Sequence, residues 1–138
     1  MIDKFDGKYS FLSNFYNHMV VYNGMVFSNN ETAFQAQKTF DKDVQRRFMY
    51  LPADEAKKLG RKLDLRNDWE QVKDKIMEDI VRAKFNDSYM KQFLLSTGNE
   101  ELIEGNWWND TYWGVCNGKG QNKLGKILMK IREELQSA

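Results

Sequence analysis

The chain has 138 residues, with 21 Lys plus Arg against 20 Asp plus Glu, one cysteine and one histidine. That length suits one domain with a real core, and the near-neutral balance gives no global reason to expect an obligate nucleic-acid or anionic-membrane partner. Cys116 alone excludes an internal disulfide, and with only His18 no Cys/His metal cluster can be assembled.

No apolar run is long enough to span a bilayer, and Met1 to Gly7 lacks the basic start and apolar middle of a secretory signal, so a cytoplasmic protein is expected. From the amino end, Phe11 to Tyr16 breaks regular alternation at Ser13-Asn14 and reads as a loop carrying amides and rings. His18 to Tyr22 and Met25 to Phe27 flank Asn23-Gly24, the pair that best tolerates a type I′ turn, which predicts a hairpin. Nothing beside His18 in sequence would orient it for catalysis.

Ser28-Asn-Asn-Glu31 has the form of a capping box, predicting a helix from there through Phe40. Spacing of four and three residues puts Glu31, Gln35 and Lys38 on one face, with Ala33, Phe34, Ala36 and Phe40 packing elsewhere. Glu31 then serves either as the capping residue or as a carboxylate set to face developing positive charge. A second helix is predicted over Asp41 to Leu51, ended by Pro52, and a short one over Asp54 to Leu59, closed at Gly60. Arg61, Lys62 and Arg66 follow as a solvated face or a phosphate holder.

The strongest periodic pattern starts at the cap Asn67 and runs to about Phe85 through Trp69, Val72, Ile76, Ile80 and Ala83. Ser88 to Leu95 predicts another helix with Gly98 as its stop, and Glu101 to Glu104 a short strand. The last helix starts near Asn122 and carries Leu124, Ile127, Leu128, Ile131 and Leu135 on one stripe. About six helices and a small sheet of three or so strands make an α+β, mainly helical single domain over residues 1–138.

The stretch Gly105 to Gly125 stands apart. It holds three of the four tryptophans and five of the nine glycines, with no helical or alternating period. Such a stretch is built as a binding loop rather than a core strand. Asp110 lies in it among Trp107, Trp108, Tyr112 and Trp113, where an unpaired carboxylate is either solvated at a rim or held near a ligand. Glu31 and Asp110, roughly eighty residues apart, suit cleavage of a glycosidic bond if they act together: one stabilises an oxocarbenium-like ribosyl centre or positions water, and another group protonates the leaving atom. Which carboxylate does which stays open. A phosphate would be held by Lys38 or the arginines and by backbone N–H groups of Asn117 to Gly120.

The ordered motifs Phe11-Leu-Ser-Asn-Phe15, Ser28 to Lys38, Gly60-Arg61, Arg66-Asn-Asp-Trp69, Lys84-Phe85, Asn109 to Gly114 and Asn117 to Gly125 resemble the YbiA-like family, also called NADAR, over nearly the whole chain. The resemblance implies a metal-independent N-glycosidase without a cofactor. Its substrates would be ribosylamino-pyrimidine intermediates of riboflavin synthesis, or ADP-ribosylated guanine, free or in nucleic acid. By motif position it implies Glu31 and Asp110 as catalytic carboxylates. Lys38, Trp113, Gly114, Asn14, Phe15, Arg61, Asn117 and Gly118 would be substrate contacts, with no membrane and no obligate protein partner. Thr32 and Ala33 stand where a histidine and an aromatic are expected, and Val115-Cys116 where some members carry an acidic, glycine-rich run, which alters the walls around the leaving base. A non-catalytic ADP-ribose or nucleotide reader, and an oligomeric scaffold without a ligand, are the competing readings.

Overall fold

The computed structural model describes all residues, 1–138, and divides into two compact units, one of residues 14–84 and the other of residues 1–13 with 85–138. In the first unit β1 (Val20–Tyr22) pairs antiparallel with β2 (Met25–Phe27), with Val20 opposite Phe27. Asn23 and Gly24 turn the hairpin with φ of 49° and 78°, the positive angles expected of that pair.

The helices of this unit are α1 (Asn30–Ala36), α2 (Lys42–Phe48), α3 (Ala53–Gly60) and α4 (Trp69–Lys84). α1 ends at Ala36 rather than running on to Phe40, and it starts on Asn29 rather than Ser28. The Asn29 side chain accepts the Thr32 backbone N–H at 2.8 Å, while the Ser28 hydroxyl donates to Leu51 O at 2.7 Å. The capping box is therefore overturned: both residues have cap chemistry, and contact with the chain after α2 claims the serine. Six of the seven residues of α1 are buried. Thr32 and Ala33 are wholly enclosed, so they are core residues and not pocket walls. Burial on nearly all sides follows from packing against α2, α3, α4 and the hairpin.

α4 buries Trp69, Ile76, Met77, Ile80, Val81 and Lys84. The Trp69 ring lies 5.1 Å from that of Phe34, which makes it a packing residue. The other side of α4 carries the pairs Lys73–Glu70, Lys75–Asp79 and Arg82–Glu78. Phe48 and Gln45 are the buried residues of α2, and Val44 is only half-buried.

The second unit opens with a 3-10 helix, Gly7–Leu12, where the sequence suggested only a loop from Phe11. It contains α5 (Ser88–Leu95), β3 (Gly105–Asn106), β4 (Val115–Cys116) and α6 (Lys123–Gln136). Gly98 stops α5 with φ of 63°. The strands β3 and β4 pair in parallel, Gly105 with Val115, and an isolated bridge joins Ile2 to Leu102. One sheet of about three strands is thus replaced by two separate pairs, and the strand expected at Glu101 to Glu104 reduces to that bridge. α6 buries Leu124, Leu128 and Ile131, together with Arg132. The Arg132 guanidinium is satisfied there by Thr97 Oγ1 at 2.9 Å and Glu100 O at 2.7 Å. The mainly helical α+β expectation holds, and no helix is long and apolar enough to cross a membrane.

Candidate active site

In the first unit, α1 presents Glu31 in its first turn, half-buried. The Glu31 backbone N–H donates to Asn14 O at 3.0 Å, which ties the Asn14-Phe15 segment to the helix start. Asn14 is itself buried, accepting from Asn30 Nδ2 at 3.3 Å and donating toward Met77 Sδ at 3.4 Å. Its amide is thus engaged within the core, and its link to the site runs through its carbonyl. Phe15 is exposed, with Lys57 Nζ 5.9 Å from its ring centroid.

One turn along α1, Gln35 Nε2 donates to Glu31 Oε2 at 2.6 Å, a short bond of the charge-assisted kind. Gln35 is buried, and its Oε1 has no hydrogen-bond partner. An unsatisfied buried acceptor costs about 1–3 kcal/mol, so the side chain is oriented for Glu31 at the expense of its own carbonyl. Lys38, just past the end of α1, has its ammonium pKa lowered, chiefly by burial. Glu31 opposes that shift, and the cations Arg61, Lys73 and Lys57 add to it. A half-buried ammonium in a neighbourhood of three further cations and one carboxylate is suited to an anion. Glu31, Lys38, Arg61 and Phe15, all picked out in sequence, thus surround the start and end of one short helix.

Arg66 is engaged elsewhere. Its Nε and Nη2 hold Asp68 at 2.6 and 3.0 Å, its Nη1 reaches Gln37 O, and its guanidinium stacks 4.1 Å from the Phe40 ring centroid. The expectation that it could hold a phosphate is corrected accordingly.

In the second unit, Asn106 and Asp110 shape the tryptophan loop. Asn106 Oδ1 accepts the Asp110 N–H at 3.0 Å and its Nδ2 donates to Asp110 O at 2.8 Å and Glu104 Oε2 at 3.0 Å. Asp110 Oδ1 then accepts the N–H groups of Tyr112 and Trp113 at 3.1 and 2.9 Å. Residues 111 to 114 run along the start of α6, where the carbonyls of Thr111, Tyr112, Trp113 and Gly114 take the N–H groups of Gln121, Lys123, Leu124 and Asn122. Gly114 is buried, and a Cβ there would collide with Glu104 O and its carboxylate, so only glycine lets the two chain segments close up. Trp113 is half-buried with its ring edge-on to Tyr112 at 4.8 Å, while Trp107 is 84% and Trp108 43% exposed.

Asn117 and Gly118, with φ of 53° and 75°, form a tight turn between Cys116 and Lys119, whose backbones exchange bonds of 2.8 and 3.0 Å. The Lys119 N–H is therefore already used, which corrects the expectation that every amide from Asn117 to Gly120 could cradle a phosphate. The same Asn-Gly pair that predicts the hairpin at Asn23-Gly24 recurs here, where the sequence reading expects only phosphate-holding amides. Cys116 is buried in β4, as a packing residue would be. Gln35 is legible in sequence only as a neighbour of Glu31 and Lys38 on one helix face, and Glu104 carries no signal there; their roles follow from the bonds to Glu31 and Asn106.

The profile of the NADAR domain family matches residues 2–136 of this chain. The chain belongs to the NADAR family. It is 36% identical over 132 residues to the N-glycosidase YbiA of Shigella flexneri serotype 5b, covering 92% of this chain and 82% of that protein. It is 37% identical over 136 residues to a riboflavin biosynthesis protein of Vibrio vulnificus, covering 95% of this chain and 37% of that longer protein. The NMR structure of E. coli YbiA superposes with a TM-score of 0.84 at 34% identity, over 99% of this chain and 88% of that one. The fold described above is thus the NADAR fold, and Glu31, Gln35 and Lys38 lie within the span matched by the family profile.

Proposed function

We propose that this NADAR protein hydrolyses the C–N bond joining a ribose phosphate or an ADP-ribose to a nitrogenous base, with Glu31 as the reacting carboxylate. Kinship with N-glycosidases at 36% identity over most of both chains makes it an enzyme acting on N-glycosyl bonds. The substrate class is the further step. Ribosylamino-pyrimidine intermediates of riboflavin synthesis are favoured by the Vibrio relative's name, and ADP-ribosylated guanine is the other member of the class.

The observation that carries the reading is Glu31 held at 2.6 Å by Gln35 while the neighbouring Lys38 ammonium is crowded by Arg61, Lys57 and Lys73. As the C–N bond breaks, positive charge grows on the anomeric carbon, and an oriented carboxylate stabilises it or draws a proton from the attacking water. The water oxygen ends on the sugar carbon and the base nitrogen leaves with a proton. The cations suit a phosphate on the far side of the sugar, and binding energy there helps fix the anomeric carbon against Glu31. Asp110 is proposed as the second carboxylate on the strength of its motif, with Trp113, Gly114, Asn117 and Gly118 as contacts on the same ground.

The test is product analysis by mass spectrometry after incubating the protein and its Glu31→Gln variant with a ribosylamino-pyrimidine phosphate and with ADP-ribosyl-guanosine. Free sugar phosphate or ADP-ribose released by the parent alone identifies both the bond and the base. Binding of either compound without release from the parent would replace the enzyme by a nucleotide reader.

A further inference from the structure

We propose that Gln35 is the positioning residue for Glu31, and that Gly60 on α3 is the space that admits it. The inference rests on the reading of Glu31 as the reacting carboxylate. Gln35 is 6% exposed and gives its amide N–H to Glu31 Oε2 at 2.6 Å, leaving Oε1 buried with no partner. A side chain recruited only to fill the core would gain by being apolar, since neither a carboxylate bond nor an orphaned carbonyl would then be buried. The amide instead serves one purpose that its neighbours explain: it fixes the rotation of the Glu31 carboxylate about its terminal bond.

Gly60 completes the arrangement from the other helix. A Cβ added there would overlap Gln35 Oε1, approach its Cδ at 2.8 Å and its Cβ at 3.2 Å, and meet nothing nearer than these Gln35 atoms. Gly60 has an ordinary helical backbone, being the last residue of α3 and absent from the positive-φ positions. Alanine therefore suits the helix better than glycine does, and the residue is glycine for room and not for conformation. Gln35 also links the two halves of the site, since its backbone carbonyl accepts the Lys38 N–H at 3.2 Å.

Gly60→Ala is the discriminating variant, because it displaces the Gln35 amide without removing any group that touches substrate. It is measured beside Gln35→Leu and Glu31→Gln for kcat, KM, the pH profile of kcat, and thermal melting. The expected result for Gly60→Ala is a folded protein whose melting temperature falls by several degrees at most, because the Gln35 amide must yield to the added methyl, with KM within a few-fold and kcat lowered by about ten-fold or more, since small misplacements of a reacting group have effects of that size. The acid limb of the kcat profile should move to higher pH, because the lost N–H favoured the ionised carboxylate. Gln35→Leu should do the same more strongly; if it does not fold, Gly60→Ala decides alone. Parent-like kcat and pH profile in folded Gly60→Ala would overturn the proposal, as would a kcat loss matched by a fall in melting temperature with an unmoved acid limb. Full turnover by Glu31→Gln would instead sink the assignment of Glu31 itself, whatever the Gln35 and Gly60 variants do.

Discussion

The carboxylate of Asp110 accepts the backbone N–H of Trp113 at 2.9 Å through the same oxygen that accepts Tyr112 N–H at 3.1 Å. Asp110 is thus the organiser of its own loop as well as a candidate for chemistry, and the two roles separate by substitution. Asparagine keeps an acceptor oxygen for the turn, so Asp110→Asn should melt within a degree or two of the parent, whereas Asp110→Ala should lose about 0.5–2 kcal/mol, as when a helix cap is removed. If Asp110 takes part in the reaction, Asp110→Asn lowers kcat by about a hundred-fold or more with binding retained. Parent-like turnover by Asp110→Asn would leave the residue a purely structural one.

Lys38 gives a pH dependence of binding with a definite sign. Its free-protein pKa is lowered below 10.5, first by burial and then by Arg61, Lys73 and Lys57, against the raising effect of Glu31. A substrate phosphate is held by the ammonium form, so affinity is present below that lowered pKa and lost as pH rises through it. KM measured from about pH 7 to about pH 10 should therefore climb earlier than an ordinary lysine would allow. Lys38→Arg keeps its charge over that range and should flatten the climb. Lys38→Met should raise KM by about ten- to a hundred-fold at neutral pH, the worth of one charged hydrogen bond. A flat KM profile in the parent would remove Lys38 from substrate binding.

Lys84 gives a pH dependence of stability with a definite sign. It occupies the buried stripe of α4, 1% exposed, with Nζ 5.4 Å from the Tyr16 ring centroid, and burial lowers its pKa from 10.5 to about 7. The unfolded chain binds the extra proton between those two values, so folding stability rises as pH rises from about 7 toward 10.5. The gain from this group is of the order of 4 kcal/mol at the upper end. Urea unfolding at a series of pH values should show that slope, and Lys84→Met should flatten it. An unchanged slope in the variant would assign the pH dependence elsewhere.

The residues that reported themselves in sequence are those whose partners are near in the chain. Asn23-Gly24 dictated its hairpin because a type I′ turn needs positive φ at both positions, and the Asn117-Gly118 turn obeys the same rule. The stripes of α4 and α6 were visible as period, although burial fell on Met77 and Val81 rather than Val72 and Ala83 in α4. Ser28 was misread as the cap because Ser28 and Asn29 have equivalent local chemistry; Leu51, twenty-three residues on, decides between them.

Sequence by itself determined the helical α+β character, the hairpin turn at Asn23-Gly24 and the family, and it marked Glu31, Lys38 and Asp110 as candidates for the chemistry. All of these rest on residue type, short spacing or ordered motif. Tertiary structure alone decided that α1 is enclosed, that Arg66 is occupied by Asp68 and Phe40, and that Gly60 makes room for the amide that orients Glu31. Those facts depend on which surfaces meet when helices pack, and close packing joins residues whose separation along the chain carries no local signal.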